Sequence, residues 1–537
     1  MGYYLNSSKV FSLYESEVKK PYFVDKTEIL NELIPLVEQG NNHICITRPR
    51  RFGKSVMASM IGAFFSRGFD SSSIFDSLKI ASAANYREHL NQHNVIYINF
   101  IKSANMNSGY KEFIKSIERF IVRDLRKCFP DVDYWDGLSL PDYLGIIHEE
   151  TNEVFLFVFD EWDCIFHKDY TTDEDRKDFI NWLAALTKDT GYVSLSYMTG
   201  VLPIAKYSSG STINNFFEYT MATDDLYSEY FGFTDAEVNE LYLRYQARTP
   251  NCLIEREDLR YWYDGYHTPS SDRMYNPRSV VEALTRNQIR SYWKATGSYS
   301  EISTYIINDW ADVKKDVALM VAGEAVKADV EEFAATAMNL STRNEILSAM
   351  VVYGFLNYED GKVHIPNKEL MDEFAKTIRR EKNLGYIFQL ADASERMLQA
   401  TLKGDTNTME EILQYAHDTE TPLLDYNNET ELTAIVNLVY LSARDNYYVE
   451  RENKAGQGYV DFIFYPEKQG DDGIILELKV DDTPESAIQQ IKDRKYTLKF
   501  QGKMAEKKRH TGRILMVGIG YSKKDKKHHC KIEILES

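Results

Sequence analysis

The sequence predicts an α/β protein with an N-terminal doubly wound sheet, a mainly helical middle and a C-terminal α/β domain. Three observations carry this prediction. A strand, a loop and a helix surround Gly53-Lys54-Ser55, a long apolar run ends in Asp160-Glu161, and two C-terminal strands contain Asp461 and Glu477. Because 537 residues exceed what one hydrophobic core organises, we expect two or three domains.

Composition limits the function classes. No apolar run approaches the about 20 residues of a membrane helix, so we expect no membrane partner and a cytoplasmic location. Five scattered cysteines predict neither a disulfide framework nor a zinc site. A net charge of −19 argues against coating nucleic acid through bulk charge. The segment from Lys499 to Lys531 is a candidate local basic groove, with a solvated lysine-rich face as the alternative for its last run.

The first element is a nucleotide-binding P-loop. A short apolar strand from His43 to Thr47 is followed by a loop and by an amphipathic helix that begins at Lys54. Gly53 allows the backbone to approach phosphate, Lys54 reaches the β- and γ-phosphates, and Ser55 binds Mg²⁺. Arg48 stands where the general pattern has its first glycine.

The second element is an acidic strand end of the Walker B type. The run from Val154 to Phe159 is typical of a strand buried on both faces of a parallel sheet, and Asp160-Glu161 follow it. Asp160 would hold Mg²⁺, and Glu161 would orient or deprotonate the attacking water. The alternative is a pair of residues that cap the next helix. Thr199 ends the following strand and is the candidate sensor of the γ-phosphate in an additional-strand sheet, with a plain turn residue as its alternative.

The third element is a pair of C-terminal strands with metal-binding chemistry. Side chains alternate along a strand, so Glu477 and Lys479 project to the same face, and Asp461 lies opposite them on the neighbouring strand. Two carboxylates can hold Mg²⁺, or Mn²⁺ in its place, while Lys479 steers or deprotonates water and balances phosphate charge. The E-x-K triplet alone is weak evidence, because strand edges with alternating charges often contain it.

These residues resemble a known family, the predicted AAA-like ATPases that carry a C-terminal PD-(D/E)XK nuclease-like domain. The resemblance runs almost from end to end of the chain and includes Asp160-Glu161 and the signature from Tyr22 to Thr27. It also includes the complete P-loop segment Arg48-Pro49-Arg50-Arg51-Phe52-Gly53-Lys54-Ser55. Arginine is the usual first P-loop residue of this family, so the resemblance implies that all eight positions belong to an ATP site.

The resemblance adds two positions to the C-terminal domain. It implies that Glu429, with Glu431 as the competing choice, completes the metal shell, and that Gln490 on a following helix belongs to the catalytic set. Tyr459 stands where many relatives have arginine, which leaves a phosphate contact in question.

The middle of the chain is predicted to be a lid or bridge. Apolar residues recur there at helical spacing, and residues 344–368 suit a winged-helix-like module with a hairpin around Asp360-Gly361. That module could touch DNA, but without a dense basic helix we favour packing on the ATPase domain. The expected domains are 1–232 (ATPase), 233–384 (helical and winged-helix-like bridge) and 385–537 (nuclease-like).

The predicted function is ATP binding and hydrolysis coupled to Mg²⁺-dependent phosphodiester cleavage of nucleic acid, in defence or repair. We expect DNA in preference to RNA, and an oligomer is compatible with the sequence. The rival hypothesis is a signalling or scaffold ATPase whose nuclease-like domain only binds nucleic acid or a protein partner.

Overall fold

The computed structural model describes residues 2–105, 109–135, 137–204, 213–221, 224, 226–268, 271–293, 313–330, 340, 342–380, 382, 386–417, 429–450, 460–506 and 512–535. The chain divides into two compact units. The N-terminal unit comprises Met1–Lys294, Ala328–Leu340 and Asn344–Gly361, and the C-terminal unit comprises the remaining segments.

A parallel sheet organises the N-terminal unit. Its strands are β1 Asn42–Thr47, β2 Asn94–Asn99, β3 Phe155–Asp160, β4 Val193–Gly200 and β5 Phe217–Tyr219. They lie in the order β2-β3-β4-β1-β5, and every neighbouring pair is parallel. Strand β4 follows β3 in the chain but lies between β3 and β1, which confirms the predicted additional-strand arrangement.

Helices cover both faces of this sheet, which explains why all residues of β3 and β4 are buried. They are α1 Ser8–Val18, α2 Ile29–Gln39, α3 Lys54–Phe65, α4 Ser72–Phe75, α5 Tyr86–His89, α6 Phe100–Asn105, α7 Tyr110–Cys128, α8 Leu140–Thr151 and α9 Asp173–Thr187. Short 3₁₀ turns lie at Lys79–Ser82, Trp162–His167 and Ser228–Tyr230. Helix α3 is buried along nearly its whole length, so the helix that begins at the P-loop is also the centre of the main hydrophobic core.

A smaller module follows the parallel sheet within the same unit. It contains strands β6 Phe233–Thr234, β7 Tyr266–Thr268 and β8 Ser271–Tyr275, and helices α10 Asp235–Arg248, α11 Arg256–Tyr263 and α12 Pro277–Arg286. The strands form an antiparallel sheet in the order β6-β8-β7, and the helices share a separate core cluster. The predicted helical middle of the chain is thus confirmed.

Later elements of the middle segment have the predicted order of helix, strand, turn and strand. They are α13 Val313–Val321, β9 Val326–Lys327, α14 Arg343–Val352, β10 Asn357–Glu359, β11 Lys362–His364 and α15 Lys368–Arg380. Asp360 and Gly361 both have positive φ, as Asp-Gly turns do. The predicted turn therefore forms at the expected residues.

A mixed sheet organises the C-terminal unit. Its strands are β12 Tyr447–Glu450, β13 Phe462–Pro466, β14 Gly473–Val480, β15 Ile514–Ser522 and β16 Lys527–Leu535, in chain order across the sheet. Only β14 and β15 pair in parallel, because the chain crosses from one to the other through helices. The helices of this unit's remaining segments are α16 Tyr386–Asp392, α17 Ser394–Lys403, α18 Thr406–His417, α19 Glu429–Val439, α20 Pro484–Asp493 and α21 Tyr496–Glu506. Within the described ranges, every helix is too short or too polar to cross a bilayer.

Candidate nucleotide and metal sites

The P-loop connects β1 to α3 in a turn that only the glycine adopts without strain. Gly53 has a φ of 93° and open space where a Cβ would lie, so phosphate can approach its backbone. Lys54, the first residue of α3, is buried, and its Nζ donates to the carbonyl oxygens of Arg48 at 2.9 Å and Pro49 at 3.0 Å. The ammonium group is thus held over the loop that would surround the phosphates.

Asp160 at the end of β3 meets the serine of the P-loop. The Ser55 hydroxyl donates to Asp160 Oδ1 at 3.1 Å, while the Asn99 amide and the Tyr97 hydroxyl donate to Oδ2 at 2.6 and 3.3 Å. Burial, followed by the charge of Glu161, raises the pKa of Asp160 to about 7. The structure therefore brings together the two side chains that were predicted to share a Mg²⁺ ion.

Glu161 follows β3 in a left-handed conformation, with a φ of 55°. Such a backbone is costly for a residue with a Cβ and is concentrated at functional sites. Burial raises the pKa of Glu161, while the charges of Lys54 and Arg50 act in the opposite direction. The side chain of Glu161 does not cap the 3₁₀ turn Trp162–His167, so the capping alternative finds no support in the geometry.

The side chain of Arg48 faces away from the phosphate loop. It is buried at the edge of the sheet, where the guanidinium donates to the carbonyl oxygens of Thr47 at 2.8 Å and Tyr219 at 2.9 Å and lies 5.1 Å from the centre of the Phe231 ring. Burial lowers the pKa of Arg48 to about 10. The Arg48 side chain thus joins β1 to β5. Its backbone carbonyl is the part that contacts the P-loop lysine.

Two more P-loop side chains contact later segments of the N-terminal unit. A Cβ placed on Gly354 would lie 2.6 Å from Cβ of Pro49, so only glycine fits against this proline. The Arg51 guanidinium donates to the carbonyl oxygen of Tyr292 and lies 5.8 Å from the centre of the Trp293 ring. These contacts fix the loop from the side opposite the sheet.

Phe52 anchors the P-loop to the small antiparallel sheet. It is fully buried, and its ring meets the Tyr266 ring edge-on at 5.0 Å between centroids. The Gly232 amide donates to the Phe52 carbonyl at 3.2 Å, and a Cβ on Gly232 would approach the Phe52 ring to 3.2 Å. Sequence reasoning assigned these loop residues to ATP and missed their packing role, because the partners lie some 180 to 300 positions away in the chain.

Thr199 lies at the end of β4 in register with Ile46 on one side and Asp160 on the other. Its side chain is fully buried, and the hydroxyl donates to the carbonyl oxygen of Ile46 at 3.0 Å. In this conformation the hydroxyl is engaged within the sheet, on the strand next to the one that ends in Asp160. Its role as a phosphate sensor stays a prediction.

A cavity of about 410 Å³ opens beside the P-loop. This volume lies within the range of small-ligand sites. One end is formed by Gly53, Lys54, Ser55 and Glu161. The rest is mainly aromatic and aliphatic, and its lining includes Tyr22, Phe23, Val24, Met57, Met60 and Tyr230. The cavity therefore combines a polar end suited to phosphates with apolar walls suited to a flat base.

The signature just before α2 also lies here. Asp25 accepts hydrogen bonds from the amide and hydroxyl of Thr27 at 2.9 and 2.7 Å and from the Lys79 amide at 2.7 Å, so it shapes the turn. Lys26 lines the cavity and forms an ion pair of 2.6 Å with Glu237 on α10. This pair connects the wall of the cavity to the helical module.

The C-terminal unit brings Asp461, Glu477 and Lys479 together. Asp461 lies immediately before β13, and the pairing of Phe462 with Leu476 places it beside Glu477 on β14. Its carboxylate accepts a hydrogen bond from the Leu478 amide at 2.7 Å. Lys479 Nζ lies 3.0 Å from Glu477 Oε1, as expected for residues on one strand face.

Gln490 on α20 completes this cluster. Its amide donates to Glu477 Oε1, the same oxygen that Lys479 contacts. Glu477 is only 2% exposed, and its Oε2 has no hydrogen-bond partner among the side chains that the structure describes. Burial and then the charge of Asp461 raise the pKa of Glu477 to about 8. A buried carboxylate oxygen without a partner, next to a second carboxylate, fits a divalent cation with oxygen ligands.

Tyr496, the first residue of α21, is a neighbour that sequence reasoning missed. Burial raises the pKa of Tyr496, the charges of Glu477 and Asp461 raise it further, and a hydrogen bond with Gln490 lowers it. The only signal in the sequence is its distance of six residues after Gln490.

Two predicted features of this site cannot be placed. Helix α19 begins at Glu429, but the side chains of Glu429 and Glu431 lie outside the described residues. Tyr459 and the preceding glycines at 456 and 458 also lie outside them. The expected further ligand and the departure at Tyr459 both stay predictions.

Comparisons with known proteins agree with these two sites. Residues 14–209 match the family model of the predicted AAA-ATPases, and residues 427–527 match that of the PD-(D/E)XK nuclease superfamily. An uncharacterized protein in the vnfD 5′ region of Azotobacter chroococcum mcd 1 is 25% identical over 285 residues, which cover 52% of this chain. The chain spans about half the length of that relative (51%).

Solved structures resemble the chain only distantly. The Walker-type ATPase of Pyrococcus abyssi is 13% identical with a TM-score of 0.37, and the similarity covers 65% of this chain and 95% of that one. The ORC2 protein of Aeropyrum pernix is 14% identical with a TM-score of 0.32, over 68% of this chain and 93% of that one.

Proposed function

We propose that this chain, which carries a predicted AAA-ATPase domain and a PD-(D/E)XK nuclease-superfamily domain, hydrolyses ATP in the first and cuts nucleic acid in the second. The first half of the proposal is supported by the hydrogen bond between Ser55 and Asp160 and by the cavity that Lys54, Ser55 and Glu161 line. The second half is supported by the cluster around Glu477.

In the nucleotide site, each residue has a task that its position allows. The N-terminus of α3 and the Gly53 backbone would hold phosphate oxygens, and Lys54 would exchange the carbonyl oxygens of Arg48 and Pro49 for the β- and γ-phosphates. Ser55 and Asp160 would hold Mg²⁺, which neutralises phosphate charge when it is bound. Glu161 would orient the attacking water and accept its proton.

In the nuclease site, Asp461 and Glu477 would hold one divalent cation. That cation, when bound, polarises the phosphodiester and lowers the pKa of water. Gln490 donates to Oε1 of Glu477, so Oε2 would be the oxygen left for the cation. Lys479 would leave Glu477 for the phosphate and balance its growing negative charge.

The P-loop contacts the rest of the N-terminal unit through three side chains. Pro49, Arg51 and Phe52 are wedged against Gly354, Tyr292 and Tyr266, so a P-loop that rearranges around phosphate must move these contacts. We propose that ATP thereby controls cutting, in a process such as defence against foreign nucleic acid or repair, with DNA as the first substrate to test. A ligand shifts such an equilibrium only if it binds one conformation better than the other.

The test is a cleavage assay on the full chain. Labelled DNA and RNA are incubated with Mg²⁺ or Mn²⁺, with and without ATP, and ATP hydrolysis is measured in parallel. Lys54→Ala should abolish ATP hydrolysis and its effect on cutting, and Lys479→Ala should abolish cutting while ATP is still hydrolysed. Lys79→Ala and Lys403→Ala, which remove exposed lysines of the two units, are the matched controls.

The outcomes separate the hypotheses. If no nucleic acid is cut under any condition while Lys54-dependent ATP hydrolysis persists, the chain is a scaffold or signalling ATPase. If cutting occurs but is identical with and without ATP, the two activities are present and the proposed control is wrong.

A further inference from the structure

The exposed face of α7 carries a row of basic side chains. Its members recur at every fourth position and are all exposed: Lys111, Lys115, Arg119, Arg123 and Lys127. We call this row the basic ridge, because residues at i, i+4 and i+8 form one continuous ridge inclined to a helix axis. With a rise of about 1.5 Å per residue, the basic ridge extends for about 24 Å along α7.

The acids of the same helix do not neutralise it. Asp124 is buried and accepts hydrogen bonds from the backbone amides at positions 3, 4 and 5. Glu118 accepts from the Trp182 indole at 2.9 Å, and Glu112 folds back toward Gly109 at the start of the helix. In the part of the chain that the structure describes, Arg123 is the member of the basic ridge with an ion pair, at 3.1 Å to Asp124.

Aromatic rings hold the centre of the basic ridge in place. The guanidinium groups of Arg119 and Arg123 lie 5.3 and 4.9 Å from the centre of the Phe120 ring. Tyr3, which is 38% exposed, stacks on Phe120 at 4.8 Å. Two cations that are already ordered lose less side-chain entropy when an anion binds.

Three lysines of the segment from Lys499 to Lys531, where the sequence predicts a basic groove, have carboxylate partners. Lys503 pairs with Glu450, Lys523 lies 3.6 Å from Asp481, and Lys531 lies 3.5 Å from Glu485. These ammonium groups already have carboxylate partners. In a chain with a net charge of −19, the basic ridge is a concentration of positive charge in which, among the described residues, Arg123 is the member with a carboxylate partner.

We propose that the basic ridge binds the phosphodiester backbone of nucleic acid, without regard to base sequence. Its cations repeat about every 6 Å along the helix, and nucleic acid is a polyanion with regularly spaced charges. An anionic membrane suits it less well, because membrane-surface helices insert an apolar face, whereas the apolar face of α7 (Ile117, Ile121, Leu125) is buried in the core. The site lies in the ATPase unit and does not depend on cleavage elsewhere.

Salt-dependent binding of the full chain tests this proposal. A labelled DNA duplex of random sequence is titrated by fluorescence anisotropy in EDTA, which prevents metal-dependent cutting. The ridge variant combines Lys111→Gln, Lys115→Gln and Arg119→Gln. The control variant combines Lys79→Gln, Arg87→Gln and Arg286→Gln, which removes three equally exposed charges from the same unit.

The expected result is a change in the salt dependence. Each lost phosphate contact lowers the slope of log K against log salt by about 0.9, so the ridge variant should lose about 2 to 3 from this slope and on the order of tenfold or more in affinity. The control variant should match the wild type. Equal slopes for the two variants would overturn the proposal, and so would ridge-dependent binding to phosphatidylserine vesicles with unchanged DNA binding.

DNA binding by the basic ridge can be tested separately from ATP hydrolysis and nucleic-acid cleavage. ATP hydrolysis without DNA and the thermal midpoint should be unchanged in the ridge variant, which shows that α7 still folds. If the chain binds DNA through the basic ridge but cuts no nucleic acid, DNA binding by the ridge is supported and only the proposed nuclease activity is contradicted.

Discussion

Each unit of the chain contains a buried carboxylate beside a lysine, but the two carboxylates differ in their partners. Asp160 has hydrogen bonds on both oxygens, from Ser55 on one and from Asn99 and Tyr97 on the other. Lys479 and Gln490 both contact Oε1 of Glu477, whereas Oε2 has no hydrogen-bond partner among the described residues. The first carboxylate is held by side chains on both oxygens, whereas the second has one buried oxygen that, in our proposal, a cation would occupy.

The lysines show the same difference. The Lys54 ammonium group is held by backbone carbonyl oxygens and not by the Asp160 carboxylate. An incoming phosphate therefore competes with neutral partners for this lysine. Lys479 contacts the carboxylate itself, so a cation at Glu477 competes with an ammonium group. In the proposed nucleotide site, changes in catalytic groups and in packing should therefore have the largest effects, and in the proposed nuclease site the addition of metal.

The largest effect should come from Glu161→Gln, which keeps the shape of the nucleotide site but removes the base. General base catalysis contributes about 10²- to 10⁴-fold, so phosphate release should fall by that factor. ATP binding, measured with a fluorescent nucleotide, should change little. Glu174→Gln, at the exposed start of α9, is the control. Hydrolysis at the wild-type rate would remove Glu161 from the mechanism.

Phe52→Ala should weaken the N-terminal unit itself. The ring is 1% exposed and packs on Tyr266, and the loss of such a buried ring costs about 3–5 kcal/mol. The thermal midpoint of this unit should fall, and ATP affinity should fall with it, because the P-loop loses its anchor. Phe217→Ala, which removes a 67% exposed ring, should leave both unchanged. Normal stability with Phe52→Ala would contradict the anchoring role.

In the absence of metal, the stability of the C-terminal unit should depend on pH through Glu477. Because burial raises the pKa of Glu477 from 4.5 to about 8, the folded unit retains a proton that the unfolded chain releases above pH 4.5. Stability should therefore fall as pH rises from 4.5 toward 8 in EDTA.

Mn²⁺ should reverse this loss, since it binds the ionised carboxylate and stabilises the folded state. The measurement is the thermal midpoint of the C-terminal unit against pH, with EDTA and with Mn²⁺. Glu477→Gln should flatten the curve and remove the effect of Mn²⁺, whereas Glu485→Gln, at an exposed acid of α20, should change neither. A midpoint that rises with pH in EDTA would show that Glu477 is ionised in the folded unit.

How far the sequence predicts these sites depends on how local their signals are. Gly53 to Ser55 and Asp160 are recognisable because each follows a strand, and parallel strands bring their carboxyl ends to one edge. The set of Asp461, Glu477 and Lys479 follows from strand alternation and one antiparallel pairing. Both patterns need only periodicity and neighbouring strands.

What the sequence does not reveal depends on distant packing. The guanidinium of Arg48 binds a carbonyl oxygen of β5, about 170 residues away, and no local pattern distinguishes this from a phosphate contact. Tyr496 lies beside Gln490 and Glu477 because of where α21 begins, which the fold of the chain decides and helical spacing alone does not. Residues whose partners are set by tertiary structure are the ones that motif reasoning misplaces.

Tyr496→Phe should have the smallest effect of these changes, on the rate of cleavage at the site around Glu477. It tests how far side chains position Glu477 in the proposed metal site. The change removes one hydroxyl next to Gln490, and a hydrogen bond of this kind contributes about 1 kcal/mol, or roughly fivefold in rate. If Tyr496 helps to orient Gln490 and thereby Glu477, kcat for cleavage should fall while KM and the thermal midpoint stay constant. Tyr447→Phe, at a buried tyrosine of the same sheet, should be silent in all three measurements. If both variants cleave at the same rate, Tyr496 has no part in positioning Glu477, and Lys479 and Gln490 are sufficient.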